Sequence, residues 1–130
     1  MHDHKKEPIG HALHVLDTTM RRYIDTYSHK KEHENLTGTN TWVIQFIADH
    51  KDGPVYLRDI ERRFGITRST ASKVVDMLVR NGFVERHTGE TDASLRRLTL
   101  TEKSENLLAD IRADHEAMEA VLTKGFTQNE

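Results

Sequence analysis

The sequence predicts a mainly α-helical domain with one small β-hairpin. Three observations predict it. Apolar residues recur at spacings of three and four along a stretch near each end of the chain, which is the signature of one buried face on a long helix. The middle holds two shorter helical patterns separated by a glycine turn. Strict alternation appears on the two sides of just one turn-forming tip, between Phe83 and Leu100. Composition agrees. A chain of 130 residues is one domain's worth, and it buries roughly two-thirds of its unfolded surface on folding. With 35% apolar and 31% charged residues and a mean hydropathy of −0.71, it is too polar for a large β-sandwich. The absence of cysteine excludes a disulfide framework, a thiolate metal site, a cysteine nucleophile and a thiol-based redox sensor. No apolar run is long enough to span a membrane. The segment from Met1 to Pro8 lacks the apolar core of a signal peptide, so a cytoplasmic protein is expected.

The elements follow in order. Ile9, Ala12, Leu13, Leu16, Met20, Tyr23, Ile24 and Tyr27 form one face of a first helix, expected over 9–30. A second helix starts in the Thr37–Thr41 cluster, rich in N-cap chemistry, with Trp42, Val43, Phe46 and Ile47 on its apolar face. The run from Asp49 to Pro54 breaks it. Val55–Leu57 is a short extended piece. Leu57, Ile60 and Phe64 mark a helix of about eight residues, stopped by Gly65. Thr67 is placed to cap the next helix, whose inner face is Ala71, Val74, Val75 and Leu78 and which ends at Asn81-Gly82. Helix, tight glycine turn, longer helix is the helix-turn-helix spacing. Phe83–His87 and Leu95–Leu100 then make a hairpin, a wing, around a tip of turn formers. Thr101 opens a last long helix, expected over 101–126, with Leu107, Leu108, Ile111, Met118, Val121 and Leu122 inward. The whole is one domain, residues 1–130, with the winged helix-turn-helix lobe at 37–100.

Charge is unevenly spread. The formal net charge is −2, yet Arg58–Arg97 holds nine basic residues, eight of them Arg, against six acids. That segment carries +3 and the remainder −5. Arginine suits planar contacts to phosphate and guanine; a solvated helical face is the plainer reading of so small an excess. Enzyme chemistry is not expected, since there is no phosphate-cradling glycine loop, no nucleophile elbow and no zinc-protease helix motif.

Two stretches carry a resemblance: Thr67-Arg-Ser-Thr-Ala-Ser-Lys-Val-Val-Asp-Met-Leu-Val-Arg-Asn-Gly-Phe-Val-Glu-Arg86 and, after the wing, Leu98-Thr-Leu-Thr-Glu-Lys103. With two helices ahead of them and a long helix behind, they resemble the multiple-antibiotic-resistance-regulator (MarR) family of winged helix-turn-helix transcription factors over residues 9–126. The resemblance implies a homodimer built from the first and last long helices, a pseudo-palindromic double-stranded DNA operator, and a ligand-responsive repressor. Family wings commonly read Asp-x-Arg; here Asp92 is followed by Ala93 and Ser94. The Gly usual after Thr-Glu-Lys is Ser104.

Candidate DNA-contacting residues are those off the inner face of the recognition helix: Thr67, Arg68, Ser69, Thr70, Ser72 and Lys73. Arg68 and Ser69 lie in the first turn, where base edges are met, while hydroxyls and backbone N–H groups there suit phosphate. Arg96 and Arg97 are the wing candidates. Strand alternation puts Leu98 and Leu100 on the core side, which favours Arg97 as the outward cation. The resemblance also implies a small aromatic effector between the first two helices and the lobe, for which Arg22, Tyr23, Trp42 and Phe46 are candidates; for Trp42 and Phe46 plain core packing is the competing reading. No cofactor is expected. His29 with His33, and His11 with His14, have helical metal-ligand spacing, but no third ligand is forced near either pair, so no metal site is assigned. A metal-sensing regulator and a winged-helix module for protein or RNA that has lost duplex binding are the alternatives. Because Ser94 stands where a wing arginine is expected, Ser94→Arg should tighten binding to a given duplex, most at A·T-rich flanks with narrow minor grooves, as read by titration across salt.

Overall fold

A computed structural model of the chain describes residues 8–27, 36, 38–88 and 96–124, with the backbone alone for 24–27. Five helices and one hairpin are present among them: α1 (Ile9–Tyr27), α2 (Gly38–Asp49), α3 (Leu57–Phe64), α4 (Arg68–Arg80), β1 (Val84–Thr88), β2 (Arg96–Leu100) and α5 (Glu102–Thr123). The wing tip with Asp92 and Ser94, the His29–His33 pair and Phe126 lie outside the described residues. No described helix is long and apolar enough to cross a membrane.

The local chemistry explains the boundaries. Thr67 caps α4, its Oγ1 accepting from the Thr70 N–H at 3.2 Å. α3 has no capping side chain from Tyr56; the Asp59 carboxylate reaches back to the Tyr56 N–H at 2.8 Å instead. Both helices of the helix-turn-helix end on a left-handed glycine, Gly65 at φ 62° and Gly82 at φ 81°. At α4 this makes a Schellman motif: Phe83 N–H donates to the Leu78 carbonyl at 2.8 Å and Gly82 N–H to that of Val79 at 3.1 Å.

The core lies between these elements. Ala71, Val75 and Leu78 of α4 are buried together with Ile60, Val43, Ile44, Ile47, Phe83, Val84, Leu98 and Ile111. β1 pairs antiparallel with β2, with Val84 opposite Leu100 and Arg86 opposite Leu98. Val55 makes a single bridge to the hairpin, its carbonyl accepting from Leu98 N–H at 2.8 Å, while Leu57 of the expected extended piece already belongs to α3. Ile44, absent from the expected apolar face of α2, is fully buried. Trp42, expected on that face, is only half-buried and faces α5.

That α2–α5 contact is polar at its centre. The ring of His115 stacks flat on Trp42, centroids 3.6 Å apart and planes 5° from parallel. Its Nε2 lies 3.0 Å from Thr41 Oγ1, and its Nδ1 is bonded to the Gln45 side-chain amide. Gln45 Oε1 can only accept, so in the neutral ring Nδ1 carries the proton and Nε2 accepts from the Thr41 hydroxyl, which also lies 2.8 Å from the Gly38 carbonyl. Arg112 with Asp49 at 2.7 Å and Lys51 with Glu105 flank this seam as ion pairs.

Two predictions follow from the packing. Leu78→Ala removes a fully buried side chain and should cost about 2–5 kcal/mol, read by urea unfolding. Burial pulls the His115 pKa down from 6.5 to about 4, with Asp114 opposing and Arg112 adding to the shift. The neutral ring belongs to the folded state, so its contribution is complete above pH 6.5 and is lost as the pH falls from 6.5 towards 4. His115→Gln should therefore be less stable at neutral pH and flatter in stability across that window. An unchanged slope would show that another group governs acid unfolding.

Candidate nucleic-acid interface

With Ala71, Val75 and Leu78 turned inward at helical spacing, geometry sends the other side of α4 outward. Arg68, Ser69, Thr70 and Lys73 are all exposed, and Ser72 is half-buried. No described contact from the rest of the chain covers the first turn. Thr67 is exposed too, but its hydroxyl is engaged in the cap and donates to Thr70 Oγ1 at 3.1 Å. The recognition-helix candidates thus share one open polar face at the positive end of the helix.

Beside that face is a cleft of about 560 Å³ between α3, α4 and the hairpin, lined in part by Arg58, Arg68, Ser72, Arg86 and Arg96. Four guanidinium groups meet two acids there, Glu61 and Asp76. Arg86 of β1 is paired with Asp76 of α4, the one acid on the recognition helix. This pair ties the wing to the helix. Arg58 lies over the Tyr56 ring at 5.2 Å from its centroid, which fixes the guanidinium at the rim.

The wing separates the two arginines that the sequence singled out. Along β2, Arg96 shares its face with Leu98, which is 3% exposed and packs on the core. That face looks towards α4, so Arg96 joins Arg68 in the cleft. Arg97 points the other way, into a groove of about 490 Å³ with His50, Lys51 and Glu105. The alternation expected from the sequence is present, and because the core side of the hairpin is also the α4 side, it is Arg96 rather than Arg97 that lines the cleft with Arg68. Tyr56 and Arg86 also line the cleft and are not among the residues expected from the sequence. The signal for Arg86 was available: it is two residues after Val84, on the same strand face.

The effector candidates are less concentrated. Trp42 is held by His115, whereas Phe46, one turn on, meets Phe64 edge-on at 6.1 Å and the His50 ring at 4.3 Å. Arg22 is exposed and Tyr23 half-buried on α1. Among the described residues, His, Asp and Glu form no group of three that could hold a metal ion.

Residues 34–93 match the model of the MarR family. The fold is shared along nearly the whole chain with solved structures. The transcription regulator MarR from Oenococcus oeni PSU-1 is 24% identical, with 94% of this chain and 89% of that chain covered and a TM-score of 0.78. The S. aureus MepR–DNA complex is 18% identical, covering 95% and 86%, at a TM-score of 0.81. The heme sensor protein PefR from Streptococcus agalactiae, in complex with heme, is 24% identical, covering 96% and 85%, at 0.69. The match to the MarR family model covers the helix-turn-helix and the start of the wing, and the winged helix-turn-helix fold is shared with these solved structures along nearly the whole chain.

Proposed function

We propose that the protein is a sequence-specific regulator that binds a pseudo-palindromic double-stranded DNA operator as a homodimer and acts as a ligand-responsive repressor. The observation that carries this reading is the open polar face of α4, with Arg68 at its first turn and the arginine-lined cleft beside it. Arg68 contacts a base edge, the Arg fork matching guanine O6 and N7. Ser69, Thr70, Ser72, Lys73 and Thr67 hold the phosphate backbone around it. Arg96 is the wing contact and reaches a flanking phosphate; Arg97 is secondary.

The long helices supply the dimer. Ile9, Leu13 and Leu16 are exposed at 78%, 60% and 43% along one face of α1, and Val121 near the end of α5 is exposed at 48%. Apolar groups at that spacing on two flanking helices are suited to a two-fold partner copy. Two-fold symmetry sets the recognition helices about one DNA turn apart, ~34 Å. A small aromatic effector would bind between the first two helices and the lobe, beside Arg22, Tyr23, Trp42 and Phe46.

Duplexes recovered by the protein from a random-sequence pool test the reading. Arg68→Ala should cost roughly 1–3 kcal/mol on the recovered site and relax preference at one position in each half-site. Lys73→Ala should weaken all sequences alike and flatten the salt dependence by about one unit of slope. Wild-type behaviour in both variants would overturn the assignment, as would a monomer by light scattering at tens of micromolar.

A further inference from the structure

The first turn of α5 does more than start a helix. Three consecutive carbonyls leave the end of α4, at Asn81, Gly82 and Phe83, and each is taken by a side chain of that turn. Lys103 Nζ donates to the Asn81 carbonyl at 2.9 Å, Thr101 Oγ1 to that of Gly82 at 2.6 Å, and Ser104 Oγ to that of Phe83 at 2.6 Å. Thr101 N–H also donates to Phe83 at 3.3 Å. The Lys103 ammonium lies 4.3 Å from the Phe83 ring centroid, placing a cation at the negative end of the α4 dipole. Ser104 has no exposed surface, and Phe83 is 2% exposed. In that dry setting an unmet carbonyl is costly. Thr101 also caps its own helix, accepting from the Ser104 N–H at 3.3 Å.

We propose that Lys103 and Ser104, with Thr101, are positioning residues for DNA recognition. They lock the C-terminal end of the reading helix onto α5, so that the two move as one body. The inference rests on the DNA-binding reading above. The same three contacts would serve merely to terminate α4 were it not already terminated. Its own Schellman bonds, from Gly82 and Phe83 to Val79 and Leu78, do that without α5. What the α5 side chains add is a fixed angle between α4 and α5. Ser104 strengthens the lock where the related pattern has Gly and no hydroxyl.

The absence of native cysteine allows two labels without background substitutions. Arg62→Cys on α3 and Glu116→Cys on α5, both at exposed positions, carry spin labels in full chains diluted with unlabelled protein. The wild-type background should give one narrow intrachain distance distribution. Ser104→Ala and Lys103→Met should broaden it, and Lys103→Arg should restore it. On a duplex recovered by the wild type from a random-sequence pool, Ser104→Ala and Lys103→Met should each lose about three- to tenfold in affinity, the equivalent of one hydrogen bond. Affinity for an unrelated duplex should stay within about twofold, because phosphate contacts survive small changes of angle. Unchanged distance distributions, or equal losses on both duplexes, would overturn the proposal. Lys103 is exposed, so Lys103→Met keeps the test decisive if Ser104→Ala does not fold. Failure of the wild type to recover any duplex would sink the DNA reading, and the distances would still decide the lock.

Discussion

Burial of one face of α4 is the constraint on which the rest depends. Ala71, Val75 and Leu78 are each almost wholly removed from water, and no other side of the helix could replace them. Once they point inward, the exposure of Arg68, Ser69, Thr70 and Lys73 is fixed by the helical period. The same burial demands partners. α3 supplies Ile60, the hairpin supplies Val84 and Leu98, and α2 supplies Val43, Ile44 and Ile47. A helix of 13 residues has little stability alone, so the exposed polar face of α4 is held in place only because its reverse side is packed.

Polar groups then decide how the packed elements are oriented. Hydrophobic contact is tolerant of angle, whereas hydrogen bonds and ion pairs are not. Asp76 with Arg86 sets the wing against α4. Three carbonyls at the end of α4 meet three side chains at the start of α5. His115 sits between Thr41 and Gln45 and under Trp42, setting α5 against α2. Each of these joints lies between the lobe's own elements or between the lobe and α5. The exposed apolar row on α1 has no counterpart among these joints.

The location of the arginines shows how a modest charge excess acquires direction. Spread along the chain, nine basic residues against six acids would be a weak signal. Folding gathers Arg58, Arg68, Arg86 and Arg96 from four different elements or their edges into one cleft, where their fields add over a few ångströms. Arg97, adjacent in sequence to Arg96, is carried to the opposite face by the strand's alternation.

By itself the sequence determined the element order, the boundaries of the helix-turn-helix and the start of α5, whose end at Thr123 falls short of the expected 126. These are local: Thr67 and Thr101 are capping residues wherever they precede a helix, Gly65 and Gly82 supply a left-handed turn at no steric cost, and period 3.6 or 2 is written in nearest neighbours. It also identified Ala71, Val75 and Leu78 as inward on α4, and Arg68, Ser69, Thr70 and Lys73 as off that face. Tertiary structure alone decided what meets across chain distance. Ile44 is buried because α5 and the sheet close over it, a fact no α2 pattern contains. His115, one of nine histidines in the sequence, is a buried ring stacked at the joint between two helices. Arg96 and not Arg97 lines the cleft because the hairpin's core side faces α4, and alternation can state that two side chains oppose each other without stating which neighbour either one meets. Pairings of that kind depend on the docking of whole elements, set by buried area summed over the fold rather than by any residue's neighbours in sequence.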